Sequence, residues 1–109
     1  MKPVVSIIIP CRNEGPFIEL AIRDALAQER GDFELEVLVA VGPSTDDTHA
    51  KVLAISRSNA EVQLIENPAG VVPHGLNAAI RASKGKYIVR LDAHSRYPTN
   101  YVVTLIEAM

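Results

Sequence analysis

Val4-Val5-Ser6-Ile7-Ile8-Ile9 is an apolar run broken only by Ser6, and it opens straight onto Pro10-Cys11-Arg12-Asn13-Glu14. A strand covered on one face alternates apolar and polar residues, whereas one covered on both faces has no polar side to show. This run does not alternate, is rich in β-branched residues, and ends in a polar turn. It therefore predicts a parallel strand buried on both faces. Residues 36–41, 62–65 and 87–91 read the same way.

Helical patterns lie between these segments. Phe17, Ile18, Ala21, Ile22, Ala25 and Leu26 recur at helical spacing, with Pro16 suited to a first helical position. Ser44 to Asp47 has the spacing of a capping box, with Ser44 as cap, and the helix after it would bury Val52, Leu53 and Ile55. A third helix is expected over about residues 73–83, with Gly85 as its stop signal, and Thr99 would cap a fourth that carries Val102, Val103, Leu105 and Ile106. The resulting β-α-β-α-β-α-β-α order predicts a doubly wound α/β fold. Its sheet would be parallel, with strand order 3-2-1-4 and helices on both faces.

Size and composition agree. The chain has 109 residues, which suits one domain spanning 1–109. Its 48% apolar and 22% charged content is that of a soluble globular protein. The net charge of −2, with no basic patch carrying interleaved aromatics, argues against a nucleic-acid partner. No stretch approaches the roughly 20 apolar residues of a membrane span, and Met1-Lys2-Pro3 runs directly into the first strand, so a cytoplasmic location is expected. The single cysteine, Cys11, cannot form an internal disulfide and is expected to pack as a small apolar group.

Ligands of doubly wound sheets bind outside the carboxyl ends of the strands, where the strand order reverses. With order 3-2-1-4 that point lies between the first and fourth strands. The loops Arg12-Asn13-Glu14 and Asp92-Ala93-His94-Ser95-Arg96 would then face each other across one crevice. Asp92 and His94, two residues apart at a strand end, can turn to the same side and hold one ion. A carboxylate and an imidazole suit Mn²⁺, Zn²⁺ or Fe²⁺ better than Ca²⁺, and two protein ligands leave positions for a diphosphate. The same pattern also fits a surface loop with an Asp cap and a solvated His. Arg12, Asn13 and Glu14 offer a cation, an amide and a carboxylate to a base or ribose, and equally make a polar turn before a helix. Asp46 is a candidate nucleotide contact, with helix capping as its other reading. His74 and Asn77, near the start of the third helix, either meet a ligand beside the Gly70 loop or face water. Arg90 either pairs with a carboxylate or points into the crevice, and the crevice is favoured. His49 has no evident partner and reads as a solvated helix residue.

The order of these motifs resembles the N-terminal half of family 2 glycosyltransferases of the GT-A fold. Residues 4–14 resemble their first strand and nucleotide loop, and Ser44-Thr45-Asp46-Asp47-Thr48 resembles the end of their second motif. Residues 75–79 and 82–88 resemble their third helix and the entry to strand four. Arg90-Leu91-Asp92-Ala93-His94 resembles their D-x-D motif with His in the last place, and residues 90–98 are most similar to bacterial exopolysaccharide enzymes of the succinoglycan type. The resemblance implies that Pro10, Arg12 and Glu14 line a nucleotide pocket, and that Asp92 and His94 hold Mn²⁺ or Mg²⁺ against a sugar diphosphate, a UDP-sugar above all. The family's usual Asp before its G-S-T-D stretch is replaced here by Val41-Gly42-Pro43. A full GT-A domain is about twice this length, beyond the usual single-domain mode. The resemblance thus implies a piece of a longer enzyme whose general base lies elsewhere and whose parent associates with a membrane. A non-catalytic module that dimerises through an exposed sheet edge is the alternative. The absence of a G-x-G-x-x-G after the first strand argues against an NAD enzyme, and the absence of a glycine- and lysine-rich loop there argues against a nucleotidyltransferase.

Overall fold

The computed structural model describes residues 2–109; Met1 lies outside the described residues. The elements run β1 (Val4–Cys11), α1 (Ile18–Leu26), β2 (Glu34–Val41), α2 (Thr48–Ser58), β3 (Val62–Glu66), α3 (Val72–Ala82), β4 (Tyr87–Arg90) and α4 (Tyr101–Glu107). The strands form one parallel sheet in the order β3-β2-β1-β4, as the alternation of patterns predicted. Ile7 of β1 pairs with Val37 of β2 on one side and with Val89 of β4 on the other. β1 and β2 are thus the inner strands, which is why they carry the most apolar runs of the sheet.

The pleat sends alternate β1 residues to opposite faces. Val5, Ile7, Ile9 and Cys11 pack into the larger core with Ile18 and Ile22 of α1, Val52 of α2 and Val102 of α4. Ile8 faces the other way and packs with Leu38, Ala40 and Ala79 of α3. Three helices therefore cover one face and one helix covers the other. Each fully buried Ile or Leu contributes about 1.5–3 kcal/mol relative to exposure. The thinly covered face shows its cost: Ile80 and Ile88 remain 45% and 42% exposed.

Element boundaries depart from the sequence reading for identifiable reasons. α1 starts at Ile18, because the Glu14 carbonyl accepts hydrogen bonds from both Phe17 N (2.9 Å) and Ile18 N (2.8 Å) and so makes a turn that contains Pro16. Pro16 is consequently outside the helix, and Phe17, 49% exposed, is not part of the buried stripe. Ser44 does not cap α2. Its hydroxyl accepts from Asn13 N and donates to the Gly42 carbonyl, while the helix begins at Thr48. Of the three apolar residues expected to be buried in α2, only Val52 is fully so, with Leu53 and Ile55 half-buried. α4 begins at Tyr101 after Asn100, and the Thr99 carbonyl instead accepts from Glu29 N (2.8 Å).

Gly85 is not a helix stop. α3 ends on Ser83 in an extended conformation. A Cβ at Gly85 would sit 2.7 Å from Ser6 N and 2.8 Å from the Tyr87 carbonyl oxygen. Glycine is required there because the entry to β4 passes against the backbone of β1. Ser6, the one polar residue of the central run, is buried and donates to Glu36 Oε2 (2.6 Å), which also accepts from Lys84 N (2.6 Å).

Candidate functional site

The strand order changes direction at β1, so the connections after β1 and β4 leave from adjacent carboxyl ends. Between them lies a crevice of about 240 Å³. Of the residues singled out from sequence, Pro10, Arg12, Glu14, Arg90, Asp92 and His94 line it. Asn13, Asp46, His74 and Asn77 do not.

Leu91 continues the pairing one step past β4, its N–H donating to the Ile8 carbonyl at 3.0 Å. Leu91 and Ala93 are buried, whereas Arg90, Asp92 and His94 are exposed. Burial thus still alternates through the turn that follows β4, and both ligand-type side chains line the crevice. His94 Nδ1 lies 3.2 Å from Glu14 Oε2, and Asp92 Oδ1 lies 3.6 Å from an Arg90 guanidinium nitrogen. Arg90 therefore satisfies both alternatives read from sequence: it pairs with a carboxylate and lines the crevice. With the His94 proton on Nδ1, the hydrogen bond runs from imidazole to Glu14 and leaves Nε2 as the basic nitrogen. This carboxylate-imidazole arrangement orients metal-binding histidines. Among the described residues no three His, Cys, Asp or Glu side chains gather as a metal cage. An ion held by Asp92 and His94 would need further oxygen donors, and diphosphate oxygens are donors of that kind.

The opposite wall is rigidified by cross-links between two strand-end loops. Asn13 has φ 52°, in the left-handed region that Asn tolerates better than most residues. Its N–H donates to Ser44 Oγ (3.0 Å), and its side-chain oxygen accepts from Thr45 N (2.8 Å). Glu14 N donates to Thr48 Oγ1 (2.9 Å) and Gly15 N to Asp46 Oδ2 (3.0 Å). Asp46 also accepts from the N–H and hydroxyl of Thr48, and these hydrogen bonds hold its carboxyl below the usual carboxylate range. Asn13 and Asp46 thus act on the loop that carries Arg12 and Glu14. Arg12 reaches across to donate from Nε to the Pro43 carbonyl (3.1 Å).

His74 and Asn77 line a separate hollow of about 290 Å³ with Glu66 and Arg81. His49 is not unpartnered: its Nε2 lies 2.6 Å from Glu66 Oε1. Cys11 is buried, as expected, and burial, reinforced by the charges of Glu14 and Asp46, pushes its thiol up to about 12.

Asn67 and Gly70 also line the crevice, and sequence reading does not single them out as site residues. Asn67 is buried, donates from its backbone to the Val41 carbonyl (3.0 Å) and from Nδ2 to the Val71 carbonyl (3.0 Å). It ties the end of β2 to the start of α3. Gly70 has φ 73°, and a Cβ there would meet Pro43 Cδ at 3.2 Å and Arg12 Nη1 at 3.4 Å. The Asn67-Pro68-Ala69-Gly70 stretch is the signal that marks both, since it combines turn residues at a strand's carboxyl end.

Comparison with known proteins agrees with this architecture. The chain is 31% identical over 103 residues to the succinoglycan biosynthesis protein ExoA of Rhizobium meliloti, covering 93% of this chain and 31% of that protein. It is 35% identical over 91 residues to a Pasteurella multocida chondroitin synthase, covering 84% of this chain and 9% of that one. The chain thus spans less than a third of these relatives. Among solved structures, the Pyrobaculum calidifontis mannosyltransferase PcManGT in complex with GDP-Man and Mn²⁺ superimposes with a TM-score of 0.76 at 31% identity, covering 90% of this chain and 29% of that one. Residues 1–349 of S. aureus TarS in complex with UDP share the fold, with a TM-score of 0.79 at 20% identity over 98% of this chain and 31% of that one. The sequence model of glycosyl transferase family 2 matches residues 6–109, and the chain belongs to that family.

Proposed function

We propose that this chain forms the donor-binding part of a glycosyltransferase that moves a sugar from a nucleoside diphosphate to a growing polysaccharide. The observation that carries the reading is the crevice at the carboxyl ends of β1 and β4, where the Glu14–His94 contact joins the two loops. Arg12, Pro10 and Glu14 supply the wall for the nucleoside. Asp92 and His94 face the same space and supply one carboxylate oxygen and one imidazole nitrogen to Mn²⁺ or Mg²⁺. When bound, such an ion acts as a Lewis acid that neutralises the departing diphosphate. Arg90, beside Asp92, adds positive charge on the same wall.

UDP is the nucleotide favoured, since TarS binds UDP and UDP-GlcNAc, and GDP is the competing choice given the PcManGT complex. Its relatives include a succinoglycan biosynthesis protein and a chondroitin synthase, which supports an acceptor that is itself a glycan. The donor side is proposed to work in the cytoplasm, with the longer protein held at a membrane. No helix among the described residues is long and apolar enough to cross one.

Titration calorimetry tests the reading. UDP is expected to bind more tightly with Mn²⁺ than without, and Asp92→Ala is expected to abolish that gain. No UDP or GDP binding with any divalent ion would overturn it for this chain. A second reading, a self-associating module, is favoured by the outer edge of β4, which has no strand beside it, and by exposed Ile80 and Ile88. A dimer by light scattering, with melting insensitive to nucleotide, would select it.

A further inference from the structure

Asp92 is the first residue past the ladder. Leu91 N still donates to the Ile8 carbonyl, but Asp92 N has no strand to pair with. Its partner is the hydroxyl of Tyr97, which accepts from it at 2.9 Å. Tyr97 is in turn held from behind. Its N–H donates to Asp24 Oδ2 (3.2 Å), and its ring packs against Tyr101 with centroids 4.8 Å apart. Asp24 also accepts from two nitrogens of Arg96, at 2.7 and 3.1 Å. Two residues past the end of α1, Gln28 is 3% exposed, donates to the Pro98 carbonyl (2.7 Å) and accepts from Val102 N (2.9 Å).

α1, through Asp24, and the turn after it, through Gln28, therefore grip the chain on the far side of the motif and leave one arm, Tyr97, to reach back to Asp92. The helix follows directly on the Glu14 turn, so the same element fixes the residue opposite His94. We propose that Tyr97 is a positioning residue, and that its hydroxyl, braced by Asp24, sets the direction in which Asp92 presents its carboxylate to a divalent cation and diphosphate. This rests on the donor-site reading above. A peptide N–H left without that acceptor would turn toward water, and the Asp92 side chain would turn with it. A partner behind a metal ligand acts in this way: it holds the ligand's geometry without touching the ion.

The test compares the chain with Tyr97→Phe, which keeps the ring against Tyr101 and removes only the acceptor, and with Asp24→Asn, which weakens the brace. Two readouts are taken: the ratio of UDP affinities with and without Mn²⁺, and the exchange rate of the Asp92 amide. In Tyr97→Phe the ratio is expected to fall about tenfold and the Asp92 amide to exchange faster, with Asp24→Asn moving both in the same direction. An unchanged ratio in Tyr97→Phe overturns the proposal. Unchanged Asp92 exchange overturns the contact on which it stands. If the unaltered chain shows no Mn²⁺-dependent gain at all, the donor-site reading fails first, and the positioning role in ligand binding falls with it even where amide exchange responds.

Discussion

His94 Nδ1 and Glu14 Oε2 lie 3.2 Å apart, although 80 residues separate them along the chain. The contact makes Glu14 the residue that selects which imidazole nitrogen is available. Glu14→Gln keeps a hydrogen-bonding oxygen but loses the charge that favours a proton on Nδ1. The Mn²⁺-dependent part of UDP affinity is expected to fall about tenfold in Glu14→Gln and further in His94→Ala, as is usual for partners of metal-binding histidines. Calorimetry at fixed pH checks this, and equal affinities for Glu14→Gln and the unaltered chain would show that Glu14 does not act through His94.

Cys11 combines burial with two nearby carboxylates, which leaves almost no thiolate near neutral pH. Alkylation at pH 8 is expected to be on the order of a thousandfold slower than for a free thiol, because the thiolate is the reactive form. Full reactivity should return in denaturant. A folded chain that is alkylated at the rate of a small thiol would contradict the buried position.

Three carboxylates have lowered pKa values in the folded state. Hydrogen bonds from Arg96 lower Asp24, those from Arg30 lower Glu61, and those from Thr48 lower Asp46. A folded value below the unfolded one gives stability that is present above the unfolded pKa and lost as pH falls through the folded pKa. The melting temperature is thus expected to be flat around neutrality and to drop below about pH 4. Arg96→Gln should make that drop shallower by removing the main cause of the Asp24 shift. Circular dichroism melts across the acid range measure both.

Gly85→Ala forces a Cβ against Ser6 N and the Tyr87 carbonyl, both backbone atoms that cannot move without shifting a strand. A loss of about 1–3 kcal/mol is expected, as for overpacked sites. Ile22→Ala, at a fully buried position of α1, is expected to cost about 2–5 kcal/mol. Urea unfolding distinguishes these from a neutral change, and an unaltered midpoint for Gly85→Ala would mean that β4 can enter the sheet by another path.

The sheet was legible because burial on both faces leaves a chemical trace: β1 and β2 are apolar at successive positions, and no other element tolerates that so well. The facing loops followed from the strand order alone. Helix starts were less legible, because capping depends on what else competes for the side chain. Ser44 has the right spacing for a cap, but Asn13, held in the left-handed region, engages its hydroxyl instead. Asn13 and Asp46 were legible as polar loop residues, whereas their work as cross-links between two loops depends on contacts more than 30 positions apart. The His49–Glu66 contact and the Gln28 clamp are likewise long-range and leave no local pattern. Gly85 carried a real signal, read as a helix stop when the constraint was the neighbouring strand.

The central place of β1 has a kinetic meaning. It precedes β2, β3 and β4 along the chain, yet one of its two hydrogen-bonding edges waits for β4, where Val5 meets Tyr87. Pairings so distant in sequence close slowly, because the intervening chain must be ordered before they form. An early intermediate with β1, β2 and β3 already joined would lack the wall that carries Asp92 and His94. The docking of β4 on β1 would then bring the two walls of the crevice together in one event, so that nucleotide binding would report that pairing.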